Sequence, residues 1–510
     1  MGQTPTDSFS TRRSFLQATV ASAAAASVIS PTVARAARSA SRAAASQPFA
    51  ELDAKIEAGM AAYGIPGVAV GVLYRGREYL KGYGVTNVDY PRAVDPDTVF
   101  RIASTTKTFT GTTVMRLVER GELDLDARVG RYLPDFRTSD PTVAPRVTVR
   151  QLLNHSPGWL GDYLQDFGRG DDALARYVEG IARIPQLTPL GEVFFYNNTA
   201  LSLAGRLIEV ATGATYENAV RSLLIDPLGL AHSRFFSDEI IGFNIAASHK
   251  LEGKKPVVDP SFWEVPRSLN PTGGLISSVR DQLAYARFHL GDGRAPDGKR
   301  LLTRRSLVRM RSHPGPGGTM LVELDGIGVS WQLRPSRQRV RIVQHGGDLP
   351  GQHSCLMMVP EHGFALTALT NSDGGPSLIA ELFVKDWALR TFTGLSNLPA
   401  VPRVLSRREL APYEGRYEQE EIAPDGRLEK GAYELRGHQG ELRATAVGEM
   451  PALDPPESAA QTRLVFYRKD YVLVLDATGR PTGSRANFLR DGHGRVKWLR
   501  IGGRLYRHNS

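Results

Sequence analysis

A serine and a lysine three residues apart constrain this chain more than any other feature. In Ser104-Thr105-Thr106-Lys107 the two side chains share one face of a predicted helix, because residues three apart are neighbours on a helix surface. Of the eleven lysines in the chain, only Lys107 has a serine three positions before it. A serine hydroxyl becomes a good nucleophile when an adjacent base takes its proton, and a lysine does so where burial disfavours its ammonium form. The motif predicts a serine nucleophile with a lysine base. If the motif is considered by itself, the alternative is a solvated lysine and a helix-capping serine.

The surrounding sequence places this motif at the start of a buried helix. Strand-like residues 100–103 precede Ser104, and from Thr105 to Arg120 apolar side chains recur at helical spacing up to Gly121. The first backbone N–H groups of a helix have no partner within it, so a nucleophile there lies beside free donors.

Length and composition limit the possible classes of protein. A chain of 510 residues exceeds one average domain, so at least two folded units are expected. Its 41% hydrophobic and 23% charged residues exclude a largely disordered protein. The net charge of +10 comes from scattered arginines without a basic block, so no nucleic-acid partner is expected. No metal and no cofactor is expected either.

The N-terminus has the pattern of an export signal. Thr11-Arg12-Arg13-Ser14-Phe15-Leu16 resembles a twin-arginine signature and precedes a short Ala-rich run with a cleavage-like Ala34-Arg35-Ala36. We therefore predict a signal peptide at 1–36, a flexible linker at 37–47, and a periplasmic or extracellular location. A disordered or amphipathic N-terminal tail is the alternative. No later stretch is long and apolar enough for a membrane helix.

The remainder divides into an α+β unit and a β unit. Within 48–394, a hairpin near Arg75-Gly76 and later strand patterns between 326 and 371 predict an antiparallel sheet flanked by helices. Residues 150–266 read as an all-helical insertion, and 378–391 as a closing helix. After a Pro-containing connection, 405–510 shows short strands separated by turns, which predicts a small antiparallel β-barrel.

Two further motifs supply the other groups that such a nucleophile needs. Tyr196-Asn197-Asn198 lies on a predicted loop before a helix, whereas the second Tyr-x-Asn triplet, at Tyr216, lies inside a helical pattern. Four His-x-Gly triplets occur, and only His345-Gly346-Gly347 is predicted to close a strand and open a turn within the α+β unit. Taken singly, a loop tyrosine and a turn histidine would be unremarkable.

In this order the three motifs resemble those of the serine β-lactamase and penicillin-binding-protein superfamily, in its class C-like branch. That branch includes D-alanyl-D-alanine carboxypeptidases, D-stereospecific aminopeptidases and β-lactamase-like esterases. The resemblance covers about residues 48–391. Further segments agree with it: 151–159, 191–213, 227–230 and 272–278. The tail, from Leu410, more weakly resembles the lipocalin-like β domains of some members.

The resemblance implies roles for the motif residues. Ser104 would attack a carbonyl to form an acyl-enzyme, while Lys107 and Tyr196 take and return its proton. Asn198 would bind substrate or Lys107. His345, Gly346 and Gly347 would line the substrate site, and the main-chain N–H groups of Ser104 and Asp348 would form the oxyanion hole.

His345 departs from the lysine that β-lactamases and carboxypeptidases commonly have at this position, where it attracts a substrate carboxylate. An ordinary imidazole with a pKa of ~6.5 is mostly neutral at about pH 7.5 and mostly charged near pH 5.5. We therefore expect acidic substrates to be favoured relative to neutral ones as the pH falls.

The sequence thus predicts an exported serine hydrolase acting on an ester or on an amide or peptide that contains a D-amino acid. The substrate would be a small molecule or peptide, with cell-wall material among the candidates. A true β-lactamase or D-Ala-D-Ala carboxypeptidase is the alternative enzyme, which His345 disfavours. A non-catalytic binding or sensor protein on the same fold is the alternative from another class.

Overall fold

The structure is a computed structural model that describes residues 31–261, 263–448, 462–476 and 478–509, with side chains described from residue 47. The described residues from Glu51 onward form one compact unit. Nearly all of the predicted signal peptide, 1–36, lies outside the described residues. Residues 37–47, predicted as a linker, lie within a helix at Pro31–Tyr63; alanine, which dominates them, has the highest helix propensity. None of the described helices is long and apolar enough to cross a membrane.

An antiparallel sheet forms the centre of the described α+β unit. Its seven strands, in spatial order, are Arg77–Gly84, Gly67–Tyr74, Phe364–Thr370, Gln352–Val359, Arg341–Leu349, Gln332–Pro335 and Gly326–Ile327. The first hairpin turns at Arg75 and Gly76, which have positive φ angles of 51° and 74°, as a two-residue hairpin turn requires. The predicted hairpin and antiparallel sheet are confirmed.

Helices cover this sheet. Val279–Leu290 packs against the strands Gly67–Tyr74 and Phe364–Thr370. The predicted closing helix is divided at Asp386, whose φ of 56° interrupts helical geometry. The α-helices from residue 100 onward are Thr106–Glu119, Val149–Leu153, Ala173–Gly180, Asn198–Thr212, Tyr216–Val220, Asp226–Leu228, Asn270–Gly273, Val279–Leu290, Arg304–Arg309, Gly375–Ile379, Trp387–Thr393 and Arg407–Leu410, with π-helical turns at Arg221–Ile225 and Ala380–Val384.

The region 150–266 contains helices joined by long loops and also a two-stranded hairpin, which corrects the prediction of an all-helical insertion. His249–Glu252 pairs with Lys255–Val258 around Gly253, which has a φ of 67°. A glycine at a positive φ and the β-branched pair at 257–258 favour this hairpin locally. Other short pairs join Phe100–Arg101 to Ile276–Ser277 and Gly318–Thr319 to Glu323–Leu324.

The C-terminal strands form a closed antiparallel barrel, which confirms the predicted β-barrel. Its strands are Gly415–Ile422, Leu428–His438, Glu441–Val447, Thr462–Arg468, Tyr471–Leu475, Pro481–Arg490, Val496–Ile501 and Arg504–Asn509. The first strand pairs with the last. Buried aromatic and aliphatic side chains, among them Tyr417, Phe488 and Tyr506, pack together as its core.

The barrel and the α+β unit are joined by main-chain hydrogen bonds. Ile422 N donates to Asp162 O at 2.9 Å, and Leu164 N donates to Ile422 O at 2.7 Å. Next to them, Phe195 shares a buried apolar cluster with Trp498 and Leu505 of the barrel. The barrel therefore contacts the segments that flank Tyr196.

Candidate active site

Ser104 lies in a tight turn that the surrounding strands hold in place. A 3-10 turn at Ala103–Thr105 leads into the helix Thr106–Glu119. Ala103 has a φ of 45°, a conformation that costs a non-glycine residue free energy and that is common next to functional groups. Ile102, just before it, donates its N–H to Leu275 O at 3.1 Å and accepts from Ser354 Oγ at 2.6 Å. These bonds fix the backbone that presents Ser104.

Lys107 is fully buried beside Ser104. Its Nζ lies 2.9 Å from Ser104 Oγ and donates to Thr272 O at 2.7 Å. Desolvation lowers the pKa of Lys107 well below 10.5; the Asp162 charge opposes this shift and the Arg504 charge adds to it. A neutral amine has a lone pair that can accept the Ser104 hydroxyl proton, so this pair can act as nucleophile and base.

Tyr196 covers the Lys107 amine. The Lys107 Nζ lies 4.8 Å from the centre of the Tyr196 ring. The Tyr196 hydroxyl is buried and has no hydrogen-bond partner within bonding distance among the described residues, although Ser104 is close enough to favour its ionised form. Burial nevertheless dominates and raises the pKa of Tyr196 above its ordinary value of 10.0. Tyr196 therefore keeps its proton at neutral pH, where it can donate but not accept one.

The segment around His155 positions the Tyr196 loop. Asn197 N donates to His155 Nδ1 at 2.8 Å, and Asn197 Nδ2 donates to Trp159 O at 2.9 Å. The His155 ring stacks on the Tyr196 ring with centroids 5.0 Å apart. Desolvation lowers the pKa of His155 well below 6.5, so the ring is neutral. The predicted loop placement of Tyr196, just before the helix Asn198–Thr212, is confirmed.

Asn198 binds neither Ser104 nor Lys107 among the described contacts. Its Nδ2 donates to Asp162 Oδ1 at 2.6 Å, and the other oxygen of Asp162 accepts from Arg504 Nε at 2.8 Å. Arg504 begins the last barrel strand, and Gly503 O accepts from Tyr196 N at 2.8 Å. Sequence reasoning missed Asp162 and Arg504, because no local motif links positions that are 342 residues apart.

His345 lies within a strand and not at its end, which corrects the prediction. The strand Arg341–Leu349 continues to a turn at Gly351, because Gly346 to Leu349 still pair with the strand Gln352–Val359. His345 Nδ1 lies 2.6 Å from Gly346 O, and the buried Nε2 has no hydrogen-bond partner among the residues that the structure describes. Desolvation and the charge of Lys107 lower the pKa of His345 to about 3.

Gly347 lies close to the backbone of Ser104, one of the two predicted oxyanion donors. A Cβ atom on Gly347 would lie 2.2 Å from Ile102 O and 2.7 Å from Ser104 N, so only glycine allows this approach of the two backbones. The strand Gln332–Pro335 pairs with the strand Arg341–Leu349 only as far as Gln344. The described residues 345–349 therefore have an open strand edge on that side. The Asp348 side chain is 68% exposed and accepts from His353 Nδ1 at 2.9 Å. An oxyanion hole from the Ser104 and Asp348 main-chain N–H groups stays a prediction.

Six of the eight predicted site residues line a cavity of about 110 Å³, and Lys107 and Gly347 do not. Ser104, Tyr196, Asn198, His345, Gly346 and Asp348 line it, together with Arg504. Cys355 also lines it, and burial raises the pKa of its thiol well above the ordinary value, which leaves the thiol unreactive. Within the described ranges, no group of three or more His, Cys, Asp or Glu side chains is arranged to hold a metal ion.

The close approach of Gly347 to the Ser104 backbone can be tested by substitution, with Gly346 as the control. We expect Gly347→Ala to lower the rate of Ser104 acylation by ~100-fold, because displacing the Ser104 backbone by about 1 Å misaligns the nucleophile. Gly346→Ala should cost much less, since the nearest atom to its added Cβ, Ser354 O, would be 3.4 Å away. Stopped-flow acylation rates of the two variants check this; equal losses would contradict it.

The burial of His345 removes the pH dependence of substrate preference that the sequence predicted. With a pKa of about 3, His345 stays neutral throughout the range in which an ordinary histidine would gain charge. We therefore expect the ratio of kcat/KM for a carboxylate-bearing substrate to that for its neutral ester to stay constant within ~2-fold between about pH 7.5 and 5.5. A steady rise in this ratio towards pH 5.5 would show that His345 titrates there after all.

Comparison with known proteins identifies the family. The family model named Beta-lactamase matches residues 52–386. Penicillin-binding protein 4 of Amycolatopsis lactamdurans is 37% identical over 365 residues, which are 71% of this chain and 95% of that protein. The crystal structure of SurE, 25% identical, covers 91% of this chain and all of its own at a TM-score of 0.67. A class C β-lactamase from Rhodobacter sphaeroides, 23% identical, covers 63% of this chain and 93% of its own at a TM-score of 0.51, which shows a shared fold. The chain therefore belongs to the Beta-lactamase family.

Proposed function

We propose that this protein is an exported serine hydrolase that forms an acyl-enzyme on Ser104 with an ester, or with an amide or peptide that contains a D-amino acid. The observation that carries the proposal is the 2.9 Å contact between Ser104 Oγ and the fully buried amine of Lys107. Export rests on the twin-arginine pattern at Arg12 and Arg13.

The opposite pKa shifts of Lys107 and Tyr196 support roles as base and acid, respectively. Lys107, whose pKa is lowered, takes the Ser104 proton as Oγ forms a bond to the substrate carbonyl carbon. Tyr196, whose pKa is raised, supplies a proton to the leaving alcohol or amine and is reprotonated from Lys107. A water molecule then attacks the acyl carbon and loses its proton to Lys107. The bond between the acyl carbon and Ser104 Oγ breaks, the acid is released, and Lys107 returns the proton to Ser104 Oγ.

The negative charge on the carbonyl oxygen needs donors in both steps. The main-chain N–H groups of Ser104 and Asp348 serve this role in the proposal, since Gly347 brings their two segments together. Donors aligned before the reaction stabilise the developing charge without reorganisation, and they add no side chain that would titrate.

A neutral His345 favours substrates without a carboxylate at this position. Its pKa of about 3 leaves no positive charge there at neutral pH. The relationship to Penicillin-binding protein 4 favours a second candidate, a β-lactam or D-Ala-D-Ala substrate. Two probes separate these candidates: a fluorophosphonate reports a reactive serine, and a fluorescent penicillin reports β-lactam recognition.

We expect the fluorophosphonate to label the wild-type protein on Ser104, and Ser104→Ala to abolish the label and lower ester kcat/KM by ~10⁴-fold or more. Mass spectrometry of the labelled peptide identifies the position. Ser306→Ala is a matched control, because Ser306 also lies in the first turn of a helix but outside the cavity. Labelling by both probes supports penicillin recognition, and labelling by fluorophosphonate alone supports the esterase-like substrate. A protein labelled by neither probe is a binding protein, and the proposal is then wrong.

A further inference from the structure

One wall of the active-site cavity is apolar and comes from a small hairpin. The hairpin pairs Gly318–Thr319 with Glu323–Leu324, and Met320 N donates to Val322 O at 3.0 Å across its tip. The tip residues line the cavity, together with Ile379, Phe383 and Val384. Leu321 is 37% exposed, whereas the neighbouring Val322 is buried.

The base of this hairpin is bound by the barrel. Glu323 is 8% exposed, and its carboxylate accepts from Tyr467 Oη at 2.9 Å, from Arg468 Nη2 at 2.5 Å and from Arg485 Nη1. Arg485 also donates its main-chain N–H to Leu321 O at 3.0 Å. A buried carboxylate held by two guanidinium groups is costly to displace, because separation leaves charges without partners.

Two more contacts fix the same hairpin. Thr319 Oγ1 donates to Asn487 Oδ1 at 2.7 Å, and Arg500 Nη1 donates to Gly317 O at 3.2 Å. A Cβ atom on Gly318 would collide with the Arg500 guanidinium, so the barrel packs directly against the hairpin. The tip side chains thus line the cavity, whereas the barrel holds the base of the hairpin and, through Leu321 O, the main chain of the tip.

We infer that the tip Met320–Val322 forms a subsite for an apolar acyl group of the substrate, and that the barrel sets the position of this subsite through Glu323. The inference rests on the proposed Ser104 acyl-enzyme. In that intermediate the leaving group has departed and the acyl group stays beside Ser104, so the cavity must hold the acyl group. Its volume of about 110 Å³ far exceeds the ~15 Å³ that admits one water. Glu323 is a positioning residue, since it does not line the cavity.

The test compares p-nitrophenyl hexanoate with p-nitrophenyl acetate. These esters share a leaving group and differ only in the acyl chain. We expect the wild-type protein to prefer the hexanoate by about tenfold or more in kcat/KM, because the longer chain buries more apolar surface. Leu321→Ala, which removes apolar surface from the tip, should lower this ratio roughly tenfold. Glu323→Gln and the milder Tyr467→Phe should lower the same ratio by roughly threefold or more, since they loosen the base.

Asp470→Asn is the matched control for Glu323→Gln. Asp470 accepts from Tyr413 Oη at 2.8 Å and from Arg490 Nη2 at 2.7 Å, which is a comparable ion pair within the barrel and away from the hairpin. This control should leave the hexanoate to acetate ratio unchanged. A general loss of barrel stability would move both variants together, and that result would overturn the role of Glu323.

The remaining outcomes separate the parts of the inference. An unchanged ratio in Leu321→Ala would overturn the subsite. A lowered ratio in Leu321→Ala with unchanged ratios in Glu323→Gln and Tyr467→Phe would overturn the role of the barrel. Failure of the proposed function is seen separately, in the acetate reaction: if Ser104→Ala hydrolyses acetate as fast as the wild type, both proposals are wrong.

Discussion

The candidate site depends on the burial of the Lys107 amine. An ammonium without solvent needs compensating partners, and the two oxygen atoms that Lys107 contacts directly belong to Ser104 and to a main-chain carbonyl. A neutral amine avoids much of this cost, which is why burial lowers its pKa. The same burial raises the pKa of Tyr196. One low-dielectric environment thus shifts the two pKa values in opposite directions, so that the neighbouring Lys107 and Tyr196 can act as base and acid.

The barrel completes the environment of these two groups. Arg504 pairs with Asp162, and their opposite charges act on Lys107 in opposite directions. Gly503 holds the backbone of Tyr196, and the barrel residues around Glu323 hold the hairpin on the other side of the cavity. A catalytic unit without the barrel would therefore lack contacts to both sides of its site. This arrangement gives the barrel a role in acyl-group selection as well as in support.

Local patterns in the sequence predicted the fold and much of the site. The helix after Ser104, the hairpin at Gly76, the loop before Asn198 and the barrel follow from spacing and turn residues over a few positions. The pairing of Asp162 with Arg504 and the low pKa of His345 were not predictable in this way. Both depend on tertiary burial, which brings together segments that are distant in the chain. The position of His345 inside its strand was also missed, because Gly346 and Gly347 suggested a turn where the close approach to Ser104 requires glycine.

The pKa of Lys107 is the quantity that tests this account most directly. It can be measured by NMR titration of protein labelled with ¹³C at the lysine ε-carbons, with the Lys107 signal assigned by Lys107→Met. The account predicts that Lys107 titrates well below 10.5. It also predicts that Asp162→Asn lowers this pKa further, because removal of a negative charge disfavours the ammonium form. A Lys107 signal that titrates near 10.5 would contradict the proposal that Lys107 is the base for Ser104.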